Sequence, residues 1–280
     1  MTTFQTPEPI TLSIELPSGR VNVFAITTNT TEIELSGTRA GDEDARTLIE
    51  RTRVEQSGGT IIVHVPDAKG FLRRTPELAI TARVPIGSDL EAKLKSADLE
   101  AEGELGAAKI ESASGDISVG DLSGDVRITA ASGNVTLGTV GGIVRLQTAS
   151  GDATVETACG DCHVQTASGD IQIDAVEGDF TARTASGDVV VREAGMSANV
   201  KTASGDVQLR QVATGKVDVT TASGDVSIGV QRGVIVWTDL TSLTGSVSSG
   251  LDATEPDGDS EGSLELRAHS TTGDIALRSA

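Results

Sequence analysis

Residues 157–163 read TACGDCH, and within them Cys159, Cys162 and His163 have the C-x-x-C-H spacing by which a haem is covalently attached. The same two thiols, three apart, are also the spacing of a dithiol redox pair. A second candidate is a series of carboxylates. Asp116, Asp152, Asp170, Asp188, Asp206 and Asp225, with Asn134 among them, each follow a glycine at nearly constant intervals. Stacked in space, Asp152, Asp170, Asp188 and Asp206 would form a ladder able to hold divalent cations. A third is basic: Arg127, Arg145, His163, Arg183 and Lys201, interspersed with Thr129, Gln147 and Gln165.

All three sets sit on one repeat. The glycines Gly115, Gly133, Gly151, Gly169, Gly187 and Gly205 recur every 18 residues, and Gly224 follows at 19. A weaker copy at Gly124, Gly142, Gly160 and Gly178 is offset by nine. Alternating apolar residues before each S-G-D bend give a short strand with one buried face. The pattern Val144, Leu146, Ala149, then Ala153, Val155, Ala158 places Ala149 inward and Thr148, with Thr166, Thr184 and Thr202, on a rim. One nonapeptide cannot shield its own apolar side, so two of them make a coil and successive coils stack.

The expected fold is therefore all-β: a single-stranded parallel β-solenoid, β-helix- or β-roll-like, with 18-residue coils made of two nonapeptides. Residues 1–87 form a β-rich amino-terminal cap region whose short helix falls near 42–53, with Ala45, Leu48, Ile49 and Thr52 on one face. Regular coils run over 88–236. Residues 237–280 supply closing strands and an acidic loop at 252–262.

This register reinterprets the cysteines. Cys159 replaces the turn serine of Ser150 and Ser168, Cys162 takes the core site of Ala153 and Ile171, and His163 faces outward. No haem, other cofactor or zinc set is expected, and no catalytic residues. In the calcium-binding nonapeptide motif G-G-x-G-x-D-x-U-x one residue separates the last glycine from Asp, whereas here a single glycine directly precedes Asp, so the aspartates are read as turn residues that accept backbone N–H groups within their own turns.

The chain has 41 acidic and 22 basic residues and a formal charge of −19, which disfavours nucleic acid and anionic lipid as partners. Four Phe, one Trp and no Tyr leave the core to aliphatic residues. The amino terminus lacks a basic stretch followed by an apolar run, and no segment is apolar enough to span a bilayer, so neither direct membrane insertion nor export is expected and the expected location is cytoplasmic. Arg127, Arg145, Arg183 and Lys201 form the expected interaction face, for a protein partner or for self-association.

The SASGDI, TASGDV and TTGDI segments, the strand-rich head and the closing LRS resemble a bacterial β-strand-repeat family of unknown function whose members are often called "putative adhesin". The resemblance implies a β-solenoid and a bacterial source, and it transfers no catalytic residue. It leaves open a non-enzymatic scaffold or protein-interaction module, a cell-envelope adhesin, and a self-assembling cytoskeletal element like the bactofilins.

Overall fold

Two nonapeptides make one turn of backbone, and the turns lie on one another as parallel strands in 18-residue register. The computed structural model describes residues 1–39, 41–67, 76–251 and 262–280. The chain divides into two units, residues 1–141 and 142–280.

In the second unit the first half-coil is a strand such as Val144–Ser150, which pairs in parallel with Cys162–Ser168. Phe180–Ser186, Ala198–Ser204 and Gly215–Ser223 continue that sheet. The second half-coils, Ala153–Ala158, Ile171–Val176, Val189–Ala194, Val207–Val212 and Val226–Val230, form the other sheet. The aliphatic core lies between the two, with Phe180 its largest fully buried side chain.

The two half-coils bury different patterns. The first alternates strictly: Val144, Leu146 and Thr148 point inward, while Ala149 and Ser150 are exposed. This reverses the expectation for Ala149 and Thr148. Thr148, Thr166, Thr184 and Thr202 are buried, at 4 to 8% exposure, and form no rim. The expectation transferred a two-then-three spacing from the second half-coil, where Ala153, Val155 and Ala158 do follow it. There an extra outward residue precedes the bend, which is why Asp121 and Glu193 are tolerated at that site.

Glycine is required at the S-G-D corner for two reasons. Gly187 has φ +141°, and a Cβ on it would lie 2.0 Å from the carbonyl oxygen of Gly169, one coil away. Only a residue without a side chain allows the coils to approach this closely.

Both units depart from simple chain-order stacking. In the first, the strand Thr11–Ile26 lies between Asp89–Glu102 on one side and Thr60–His64 with Leu78–Pro85 on the other, all parallel to it. Antiparallel strands then take up the free edges: Thr30–Gly37 on Leu78–Pro85, Thr2–Gln5 beyond it, and Arg53–Ser57 on Thr60–His64. The helix Glu43–Arg51 packs against Thr30–Gly37 and buries Ala45 and Leu48; the Asp42 carboxylate caps it by accepting the Ala45 N–H at 3.0 Å. In the second unit the carboxy-terminal strands Ser263–Thr272 and Ile275–Ser279 pair on one side with Gly215–Ser223 and Val226–Val230. On the other side they pair with Ile235–Ser242 and Val247–Ser249. The last strands in sequence are therefore inserted one coil inside the outermost one. Most of the acidic loop expected at 252–262, residues 252–261, lies outside the described residues.

Candidate functional site: an uncompensated basic sheet face

The three residue sets of the C-x-x-C-H, aspartate and basic patterns fall on three different surfaces of the coil. Cys162 is buried and burial pushes its thiol up to about 12, while Cys159 is exposed in the turn. One thiol is buried in the core and the other is exposed to solvent, so one ligand cannot engage both without opening the coil. Cys162 is thus a small apolar core residue, stacked between Val144 and Phe180.

The aspartates are joined through the backbone. Asp152 Oδ1 accepts the Asp170 N–H at 2.9 Å, and Asp170 and Asp188 accept the N–H groups of Asp188 and Asp206 at 2.8 Å each. Asp206 accepts from Asp225 at 2.7 Å, and Asp225 from Asp274 at 2.8 Å. The first unit repeats the device: Asp98 accepts from Asp116 at 3.1 Å and Asp116 from Asn134 at 2.8 Å. Carboxylates one coil apart repel, and the charge-assisted N–H bond that each receives from the next coil offsets the repulsion. The donors lie one coil away and not within the turn of each Asp as expected, which makes each Asp a clasp between coils. Among the described residues no three His, Cys, Asp or Glu side chains are grouped to hold a metal ion.

The basic residues share one sheet face of the second unit, in two adjacent columns. Arg145 is the register partner of His163, followed by Thr181 and Asn199. Two residues further along the strands, Gln147, Gln165, Arg183 and Lys201 form the neighbouring column. Neighbours within a column are about 4.8 Å apart. No carboxylate stands on these four strands until Asp218 on the next. Arg145, Arg183 and Lys201 are exposed and form no ion pair among the described residues, whereas Arg192 on the opposite sheet pairs with Asp174 at 3.3 Å. Arg127 belongs to the first unit, beside Lys109 in a column that also holds Glu91. Its face is mixed in charge, with Lys109 3.9 Å from Glu111.

One component escaped the sequence reading. Because Thr148 and its counterparts turn inward, Ala149, Ala167, Ala185 and Ala203 line the same face as an exposed column of methyl groups. Unbroken alternation from Val144 through Thr148 was the available signal. The face thus has a basic-and-amide half beside a strip of alanine methyl groups, bordered by the Ser-Gly-Asp edge.

Among the described residues no helix is long and apolar enough to cross a membrane. No curated protein matches the chain. Among solved structures it is similar to a "putative adhesin" from Bacteroides fragilis NCTC 9343, at 15% identity and TM-score 0.42, covering 99% of this chain and 95% of that one. It is similar also to a "putative adhesin" from Parabacteroides merdae ATCC 43184, at 13% identity and TM-score 0.45, covering 98% and 94%. The sequence profile of the family described as Toastrack DUF4097 matches residues 9–278, and the chain belongs to that family.

Proposed function

We propose that this protein is a non-enzymatic scaffold whose basic sheet face docks an extended acidic segment of a protein partner. The observation that carries the reading is the uncompensated charge of Arg145, Arg183 and Lys201 on a chain of formal charge −19. Acidic residues are abundant enough to neutralise that face, yet its four strands carry none. The nearest carboxylates are those of the turns at either end of the strands, Asp161 and Asp179 before them and Asp170 and Asp188 after, and each already accepts a backbone N–H from the next coil. A face with an alanine methyl strip beside its basic columns suits an extended backbone lying along the columns, its acidic side chains reaching the guanidinium and ammonium groups.

The test is co-purification of the full chain from its host, beside the triple variant Arg145→Glu, Arg183→Glu, Lys201→Glu. Acidic partners recovered with the native chain are lost with the variant and released by added salt, while thermal melting shows the variant folded. Retention of the same partners by the folded variant would refute the reading.

A further inference from the structure

The outermost coil of the second unit is unlike the others. Its strand Ile235–Ser242 pairs with Ser263–Ser270 on one side and, among the described residues, with no strand on the other. Val247–Ser249 likewise pairs only with Ile275–Leu277. The Ile235 N–H donates to Gly262 O and the Leu243 N–H to Ser270 O, both at 3.2 Å. In a parallel ladder the direction alternates, so the odd-numbered residues of this strand face inward with their N–H groups. The N–H groups of Val236, Thr238, Leu240 and Ser242 then point off the free edge.

This coil is also the apolar end of the unit. Trp237 is 71% exposed, Leu243 76% and Val247 46%, and Val236 and Leu240 are only partly covered. Residues 235–249 carry a single charge, Asp239, in a chain of formal charge −19. The free-edged strands of the first unit differ. Thr2–Gln5 has four residues, and Arg53–Ser57 has five, among them Arg53 and Glu55. Short, charged edges discourage pairing, whereas a long neutral one invites it.

We propose that Ile235–Ser242 is a self-association edge, at which two copies of this chain join their sheets in antiparallel pairing about a two-fold axis. A second copy is the occupant favoured by charge. Two copies of this acidic protein repel overall, and a coil whose residues 235–249 carry one charge adds little to that repulsion. Like edges meeting by a two-fold operation also satisfy each other's N–H and C=O groups, and the arrangement closes at two copies. Centred on Thr238, the pairing sets Trp237 opposite Asp239 of the other copy and keeps the two carboxylates apart. Two exposed tryptophans are covered at once, the residue type that most often dominates an interface.

The experiment is sedimentation equilibrium of the full chain over a range of concentrations and salt. The expected result is a monomer–dimer equilibrium that shifts toward dimer as salt screens the repulsion of the two chains. Trp237→Ser weakens it by about tenfold or more. Thr238→Pro, which removes an edge N–H without touching the ladder to Ser263–Ser270, weakens it as well. Thr241→Lys provides a second edge variant should the proline unfold the coil. A monomer at every concentration and salt overturns the proposal. So does a dimer unchanged in all three variants, or growth beyond the dimer into filaments.

Discussion

Replacing Gly187 with Ala isolates what holds the coils at their spacing. The new Cβ would lie 2.0 Å from the Gly169 oxygen and 2.6 Å from its carbonyl carbon, well inside any observed approach. The residue would also have to keep φ +141°. The backbone conformation alone costs an alanine about 1–2 kcal/mol. Relief of the clash requires the coils to part locally, which strains the inter-coil bonds from Gly169 N–H to Ser186 O and from Gly187 N–H to Ser204 O, both 3.1 Å. Weakening one of them adds about 1 kcal/mol, and the residual overlap a similar amount. The lower entropy of an unfolded alanine returns about 0.4–1 kcal/mol. The net loss is about 2–4 kcal/mol, or about 5–15 °C in melting temperature for a unit of this size. Gly58 supplies the control. Its φ is +60° and a Cβ there meets nothing within 4 Å, so Gly58→Ala loses only the conformational part, about 1 kcal/mol. Thermal and urea melts followed by circular dichroism measure both. Equal losses at the two positions, or a Gly187→Ala variant within about 0.5 kcal/mol of the native chain, would refute close coil stacking as the reason for the glycine column.

Two further outcomes follow from the core and the outermost coil. The hydroxyls of Thr166, Thr184, Thr202 and Thr221 are buried without a hydrogen-bond partner among the described residues, so Thr184→Val should raise stability by about 1 kcal/mol in a urea melt, and a loss would show that the hydroxyl is bonded. Asp274 accepts the Ser246 N–H at 2.8 Å, and that backbone bond, followed by the Ser246 side-chain bond, holds its carboxyl below the usual range. A depressed carboxylate pKa stabilises above the ordinary carboxylate range and ceases to do so as pH falls through the depressed value. Exchange of the Ser246 amide should therefore accelerate on acidification ahead of the interior coils, and Asp274→Asn should remove that pH dependence.

The repeat carried most of the architecture because it makes every coil report the same local physics. Gly187 and Asp188 recur with their counterparts in each coil, so the bend and most of the inward alternation could be read from the 18-residue spacing, whereas the carboxylate clasp could not, because its donor comes from the next coil and not from the turn of the Asp itself. The fate of Cys162 followed in the same way, since its register fell on a core column. Thr148 and Ala149 were misplaced because the two nonapeptides look alike yet bend differently: a buried threonine violates composition but obeys alternation, and alternation decided. The insertion of Ser263–Ser279 one coil inside Ile235–Ser249 had no local signature, since strand pairing across such separations is settled by which edge offers the better-matched apolar face. For the candidate site, the basic residues were visible but their two-column arrangement was not. Arg145 lies beside His163, and Arg183 beside Lys201, only because the strands pair without slippage.

Covalent capture of neighbouring coils tests the account most directly. Ser168, Ser186 and Ser204 are exposed and successive in register, so adjacent members lie about 4.8 Å apart and alternate members about twice that. In a Cys159→Ser background, the pair Ser168→Cys with Ser186→Cys should form a disulfide under mild oxidation, because its Cα separation falls within the bonding range. The pair Ser168→Cys with Ser204→Cys should not. Equal cross-linking of both pairs, or of neither, would contradict an 18-residue coil stacked in parallel register.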